Sequence, residues 1–115
     1  MRKRAALSLV PFALATAALP AAASEPGAHA AKTKTVRVGD VFFKKSKLTI
    51  QSGDTVKWRW VGELPHDVTV TKGPRKFHSK TKTSGTYSKA IRKRGTYRYI
   101  CTVHPDSMKG RVVVE

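Results

Sequence analysis

Cys101, His104 and Met108 stand within one eight-residue stretch, "CTVHPDSM", and Cys101 is the only cysteine in the 115-residue chain. A further imidazole, His66, sits well upstream in "PHDVTV". Four kinds of chemistry compete for such a set. A buried free cysteine acting as a small hydrophobe is common, but a lone thiol is a liability in an oxidising compartment. A nucleophile would have His66 or His104 as its base, yet no orienting or oxyanion group stands out. Structural zinc wants four Cys/His ligands and rarely takes methionine. Copper is served by one thiolate, two imidazoles and a weak axial thioether. Soft sulfur favours Cu(I) and imidazole tolerates Cu(II), so the set can hold both oxidation states with little rearrangement. The residue types favour copper over the buried thiol.

The compartment comes from the start of the chain. Met1-Arg2-Lys3-Arg4 is followed by a mostly apolar run from Ala5 to Leu19 and then by "PAAAS". A basic start, a short apolar stretch and a small-residue exit describe a secretory signal peptide over residues 1–23. Cleavage follows either Ala23 or, as late as residue 30, Ala30. The run is too short to span a bilayer and Pro11 interrupts it. Residues 24–33 have no periodicity and read as a flexible lead-in, which leaves 34–115 as one small domain with one core. The mature protein is expected to be exported and soluble, either periplasmic or extracellular and cell-envelope associated.

Lys and Arg number 23 against 7 Asp and Glu, a formal net charge of +16, and without Arg2, Lys3 and Arg4 the balance is +13. Ten cations and no carboxylates fall between Val68 and Pro105. Such a field either keeps a solvated face soluble or attracts an anionic partner: an acidic protein, a cell-wall polymer or a membrane surface. Export argues against nucleic acid.

The elements that must position the four side chains read as short strands. "TVKWRW" puts Val56, Trp58 and Trp60 on one face, and "TYRYIC" puts Tyr97, Tyr99 and Cys101 on one face. "KLTI", "HDVTV" and "GRVVVE" are further candidates, separated by Gly, Pro, Asp and Ser turn chemistry. No 3.6-residue stripe is long enough for a stable helix. Seven or eight short strands predict an all-β, antiparallel Greek-key sandwich. If the strands ending at Cys101 and beginning at His66 are neighbours, their side chains meet at one end of it.

These residues carry a resemblance. "FFKKSKLTIQSGDTVKWRW", "PHDVTV" and "GTYRYICTVHPDSMKGRVVV" are together similar to the cupredoxins, the small secreted blue copper proteins that include plastocyanin, amicyanin and pseudoazurin. The likeness runs from Thr35 to Glu115. It implies a cupredoxin-like fold, one mononuclear type 1 copper per chain, and ligand roles for His66, Cys101, His104 and Met108. Three residues separate His104 from Met108, as in azurins, where amicyanin-like loops have two and plastocyanin-like loops four. Asp67 stands where many members have Asn, and Ile100 where plastocyanins have a tyrosine.

Trp58 and Trp60 read as core, and His29 and His78 as surface histidines. Leu64, Pro65, Val103 and Pro105 are expected to rim the edge of His104, and Asp67 to accept a hydrogen bond from Thr102 across the two ligand loops. The function expected is single-electron transfer through the His104 edge to a redox partner protein, an acidic one on charge grounds, by a monomer that is not an enzyme. The rival readings are copper delivery or storage on the same scaffold, and a basic β-sandwich adhesion module without metal.

Overall fold

A computed structural model describes residues 30–115. The signal-peptide reading of residues 1–23, and most of the lead-in with His29, lie outside the described residues. Eight strands follow in order: β1 (Thr33–Gly39), β2 (Phe42–Lys44), β3 (Lys47–Ile50), β4 (Thr55–Trp60), β5 (Thr69–Lys72), β6 (Thr86–Ala90), β7 (Gly95–Ile100) and β8 (Lys109–Val114). They form two four-stranded sheets, β2-β1-β4-β6 and β3-β8-β7-β5.

Alternation sets which residues face inward. Val56, Trp58 and Trp60 of β4 are buried, as are Tyr97 and Tyr99 of β7 with Cys101 just beyond it, while Arg59 and Arg98 between them are exposed. The two sheets meet through these side chains. Trp58 and Tyr99 pack edge to face with ring centroids 5.4 Å apart, and Phe43 of β2 meets Tyr99 at 4.9 Å. Removing a fully buried tryptophan side chain costs about 3–5 kcal/mol, a large share of the roughly 5–15 kcal/mol that holds a domain folded. The fold therefore rests on this aromatic and aliphatic core.

One feature differs from the expected antiparallel arrangement. β1 pairs with β4 and β3 with β8 in parallel, while the remaining pairings are antiparallel. A period of two fixes which face a side chain takes but says nothing about strand direction. The sandwich stands, with mixed sheets.

β5 and β7 are antiparallel neighbours, with Thr69 opposite Ile100 and Val70 opposite Tyr99. The chain enters β5 beside the point where β7 ends. This brings His66 and Cys101 to one pole.

Candidate metal centre

The loop from Cys101 to Met108 is the β7–β8 connection, and its backbone closes on itself. The Cys101 amide donates to the Met108 carbonyl at 3.0 Å, continuing the ladder past Ile100 and Lys109. Inside the loop, the amides of His104, Ser107 and Met108 donate to the carbonyls of Cys101, His104 and His104 at 3.2, 3.2 and 3.0 Å. Two consecutive turns thus fix the order thiol, imidazole, thioether. Cys101 and Met108 are wholly buried, and His104 is half-buried.

His66 arrives on a separate segment held from three sides. Its amide and carbonyl exchange hydrogen bonds of 2.9 Å with Lys82, and the Trp60 indole donates to the same carbonyl at 3.1 Å. Its side chain is wholly buried. Trp60 is therefore core, as expected, and also a brace for this segment.

Cys101 Sγ lies 3.8 Å from Nδ1 of His66 and 3.8 Å from Nδ1 of His104, and the donor atoms of all three fall within 4.8 Å of one another. Two bonds of about 2.0–2.3 Å opening at 120° separate their donor atoms by roughly 3.7 Å. The cluster thus has the spacing of a trigonal site for one ion, and its soft sulfur with two imidazoles suits copper. It is the one such His/Cys/Asp/Glu group among the described residues. Met108, buried beside it, supplies the only thioether of the loop.

Asp40 is a residue that the sequence does not single out. Its Oδ1 lies 3.0 Å from Nε2 of His66, the ring nitrogen turned away from the thiol. The same carboxylate accepts from the amides of Glu63 and Leu64 at 2.9 to 3.0 Å. Those amides, followed by His66, hold the Asp40 carboxyl at about 2, below its ordinary 3.8. With a carboxylate on Nε2–H, the His66 tautomer presents a bare Nδ1 to the cluster, the arrangement that orients metal-bound histidines. Asp40 stands 26 residues before His66, and no periodicity or spacing joins a turn aspartate to a histidine that far away. Its neighbour Gly62 is a weaker signal: a Cβ there would overlap the Asp40 carboxylate.

Asp67 behaves as the sequence suggests. Buried, it accepts from the Thr102 amide at 2.9 Å and from the Thr102 hydroxyl, and also from the Thr69 hydroxyl at 3.1 Å. It ties the His66 segment to the Cys101 loop. His78 is exposed and away from the cluster.

Around the half-buried His104 edge the surface is apolar. The exposed large hydrophobic residues among those described are Val41, Phe42, Val61, Leu64 and Val103. Val41, Val61, Leu64 and Val103 belong to the connections at this pole and Phe42 opens β2 beside them, together with exposed Pro65 and Pro105. The rim read from Leu64, Pro65, Val103 and Pro105 is thus extended by Val41, Phe42 and Val61.

Fold and site define a small β-sandwich with a buried sulfur and imidazole cluster at one pole. Residues 30–115 match the model of the copper binding proteins of the plastocyanin/azurin family. The chain is 39% identical over 106 residues to amicyanin-alpha of Methylorubrum extorquens, covering 88% of each protein. It is 32% identical over 104 residues to the amicyanin of Paracoccus versutus, covering 87% of this chain and 76% of that one. Among solved structures it is similar to a reduced tryptophan-to-tyrosine mutant of amicyanin, with a TM-score of 0.65 and 30% identity over 72% of this chain and 82% of that one. This chain belongs to the plastocyanin/azurin family of copper binding proteins.

Proposed function

We propose that this protein is an exported blue-copper electron carrier, with one copper held by His66, Cys101 and His104 and the Met108 thioether as its weak axial ligand. The observation that carries this reading is the asymmetry of the cluster. Cys101, His66 and Met108 are sealed from solvent, while His104 alone of the four is half-buried, in a loop flanked by exposed Val103 and Pro105. Bound copper supplies a one-electron Cu(II)/Cu(I) couple to such a site. The protein's own part is to hold the donors in one arrangement for both states. The loop hydrogen bonds, the Lys82 and Trp60 bonds to His66, and the Asp67 bridge between the two segments do this.

The apolar rim lets a redox partner approach His104 closely and exclude water. Three buried ligand side chains favour a retained metal over one handed on. The export reading rests on the leader sequence, with the periplasm or the cell envelope as its destination. A redox titration of the copper-loaded protein tests the function: one electron per chain, with colour lost and regained reversibly. Transfer of Cu(I) to a metal-free acceptor at a rate matching reduction would favour delivery instead.

A further inference from the structure

The pole opposite the ligand cluster carries a concave basic site that electron transfer does not use. β7 approaches the cluster with its last residues, so its start at Gly95 lies at the far pole, with the first residues of the β5–β6 connection and the β6–β7 connection that flank it. A cleft of about 430 Å³ opens there, and Arg75, Lys76, Lys89, Arg92 and Lys93 surround it over the ring of Phe77.

Among the described residues none of its five cations forms an ion pair with a carboxylate, and of the five Lys89 alone has a ring partner, Phe77. Asp54, the nearest buried carboxylate in the adjoining turn, accepts from the amides of Lys32 and Gln51 at 2.9 and 3.0 Å. Five like charges around one concavity repel one another, so they do not serve stability. An anion in the cleft would relieve that repulsion.

The cleft is also rigidly built. Tyr97, in the core, donates its hydroxyl to the Lys93 carbonyl at 2.7 Å and so pins the β6–β7 turn. Gly95 takes a φ of 141°, where side chains are disfavoured, and Pro74 from the other connection fills the space a Cβ would need. Phe77 is half-buried, and the Lys89 ammonium stands 5.5 Å from its ring centroid.

The surroundings choose the ligand class. A membrane surface would call for apolar residues that insert beside the cations, and a protein partner for an apolar interface core. The exposed large hydrophobic residues of the described chain are all at the metal pole. What the cleft offers is the half-buried Phe77 ring, with Lys89 over it, among further cations, within the size range of small-ligand sites. We propose that it binds a strand of acidic polysaccharide, with its acid groups on the flanking Arg and Lys, one of them drawing Lys89 off the Phe77 ring so that a sugar ring takes its place. The protein would then sit on a polyanionic matrix with its metal pole facing outward.

The test uses oligogalacturonate as the probe and the full mature chain, with and without copper, since this binding does not depend on the metal. Exchanging Arg75, Arg92 and Lys93 together for Gln should weaken binding at least tenfold at about 0.1 M salt. A control with the same charge removed, Arg37, Lys44 and Lys45 to Gln on another face, should weaken it no more than threefold. Phe77→Leu should weaken it severalfold with the salt dependence unchanged, because stacking is lost and charge is not. The reduction potential should be the same with probe bound. Equal losses in the two triple variants would reduce the site to diffuse attraction and overturn the proposal. Binding to phosphatidylglycerol vesicles but not to the oligosaccharide would overturn it in favour of a membrane surface.

Discussion

At the scale of single residues, the centre depends on partners as much as on donors. The Asp40 carboxylate on Nε2 of His66 makes the imidazole a stronger donor. Asp40→Asn keeps the shape and removes the charge, so copper affinity should fall by about tenfold and the reduction potential should rise. Equilibrium metal competition and voltammetry measure the two. The same group sets an acid limit. Its carboxyl is held at about 2 against an ordinary 3.8, so its stabilisation is present above about pH 4 and is lost as pH falls through 2. Metal-free wild type should therefore lose more stability between pH 5 and pH 2 than Asp40→Asn does, as urea midpoints would show. The two histidines should also separate. His104→Gly opens a gap at the surface that added imidazole can fill, restoring colour, whereas His66→Gly leaves one sealed behind wholly buried neighbours. Equal rescue of both variants would contradict this geometry. All four proposed ligands and the Asp67 link to Thr102 were legible in the sequence, because residue type and loop spacing carry that chemistry. Asp40 was not, because its role exists only once β1 and the loop after β4 fold side by side.

At the scale of elements, the turn that presents Asp40 is strained. β1 and β2 pair as Gly39 with Phe42, which leaves Asp40 and Val41 as a two-residue hairpin loop. Val41 has a φ of 73°, a left-handed conformation that a β-branched residue rarely takes. Such strain costs of order 1–3 kcal/mol. Val41→Gly should thus raise unfolding free energy by about 1 kcal/mol, offset in part by glycine's greater freedom when unfolded. Chemical denaturation with the copper spectrum unchanged would bear this out, and a net destabilisation would refute it. The opposite case is Gly62, where an added methyl would displace the Asp40 carboxylate. Strand faces were readable because Trp58, Trp60, Tyr97, Tyr99 and Cys101 obey a period of two. Less was visible in two others. The inner strand β1 opens with exposed Thr and Lys, and the edge strand β6 has mostly exposed residues, so neither shows a full alternating apolar face. The parallel pairings of β1 with β4 and of β3 with β8 come from the way the chain crosses between sheets, which local pattern does not record.

At the scale of the whole molecule, chemistry is divided between two poles. One has the buried donors, the apolar rim and the carboxylates of Asp40, Glu63, Asp67 and Asp106. The other has the basic cleft, and cations cover the outer faces between them. The excess positive charge was plain from composition, but its gathering around a cleft required the fold. Exposed charges act over about 10 Å at 0.1 M salt, so they should govern encounter more than potential. Electron transfer to an acidic redox protein should slow as salt rises, and a rate that increases would reverse this reading of the surface. The proposed function depends on one thiolate binding one copper. The most direct measurement is the visible and paramagnetic-resonance spectrum after adding Cu(II), for the mature protein beside Cys101→Ser. The wild type should show an intense blue absorption at one copper per chain. Cys101→Ser should be folded and nearly colourless and hold Cu(II) weakly. Equal and intense colour in both proteins, or none in either, would contradict it.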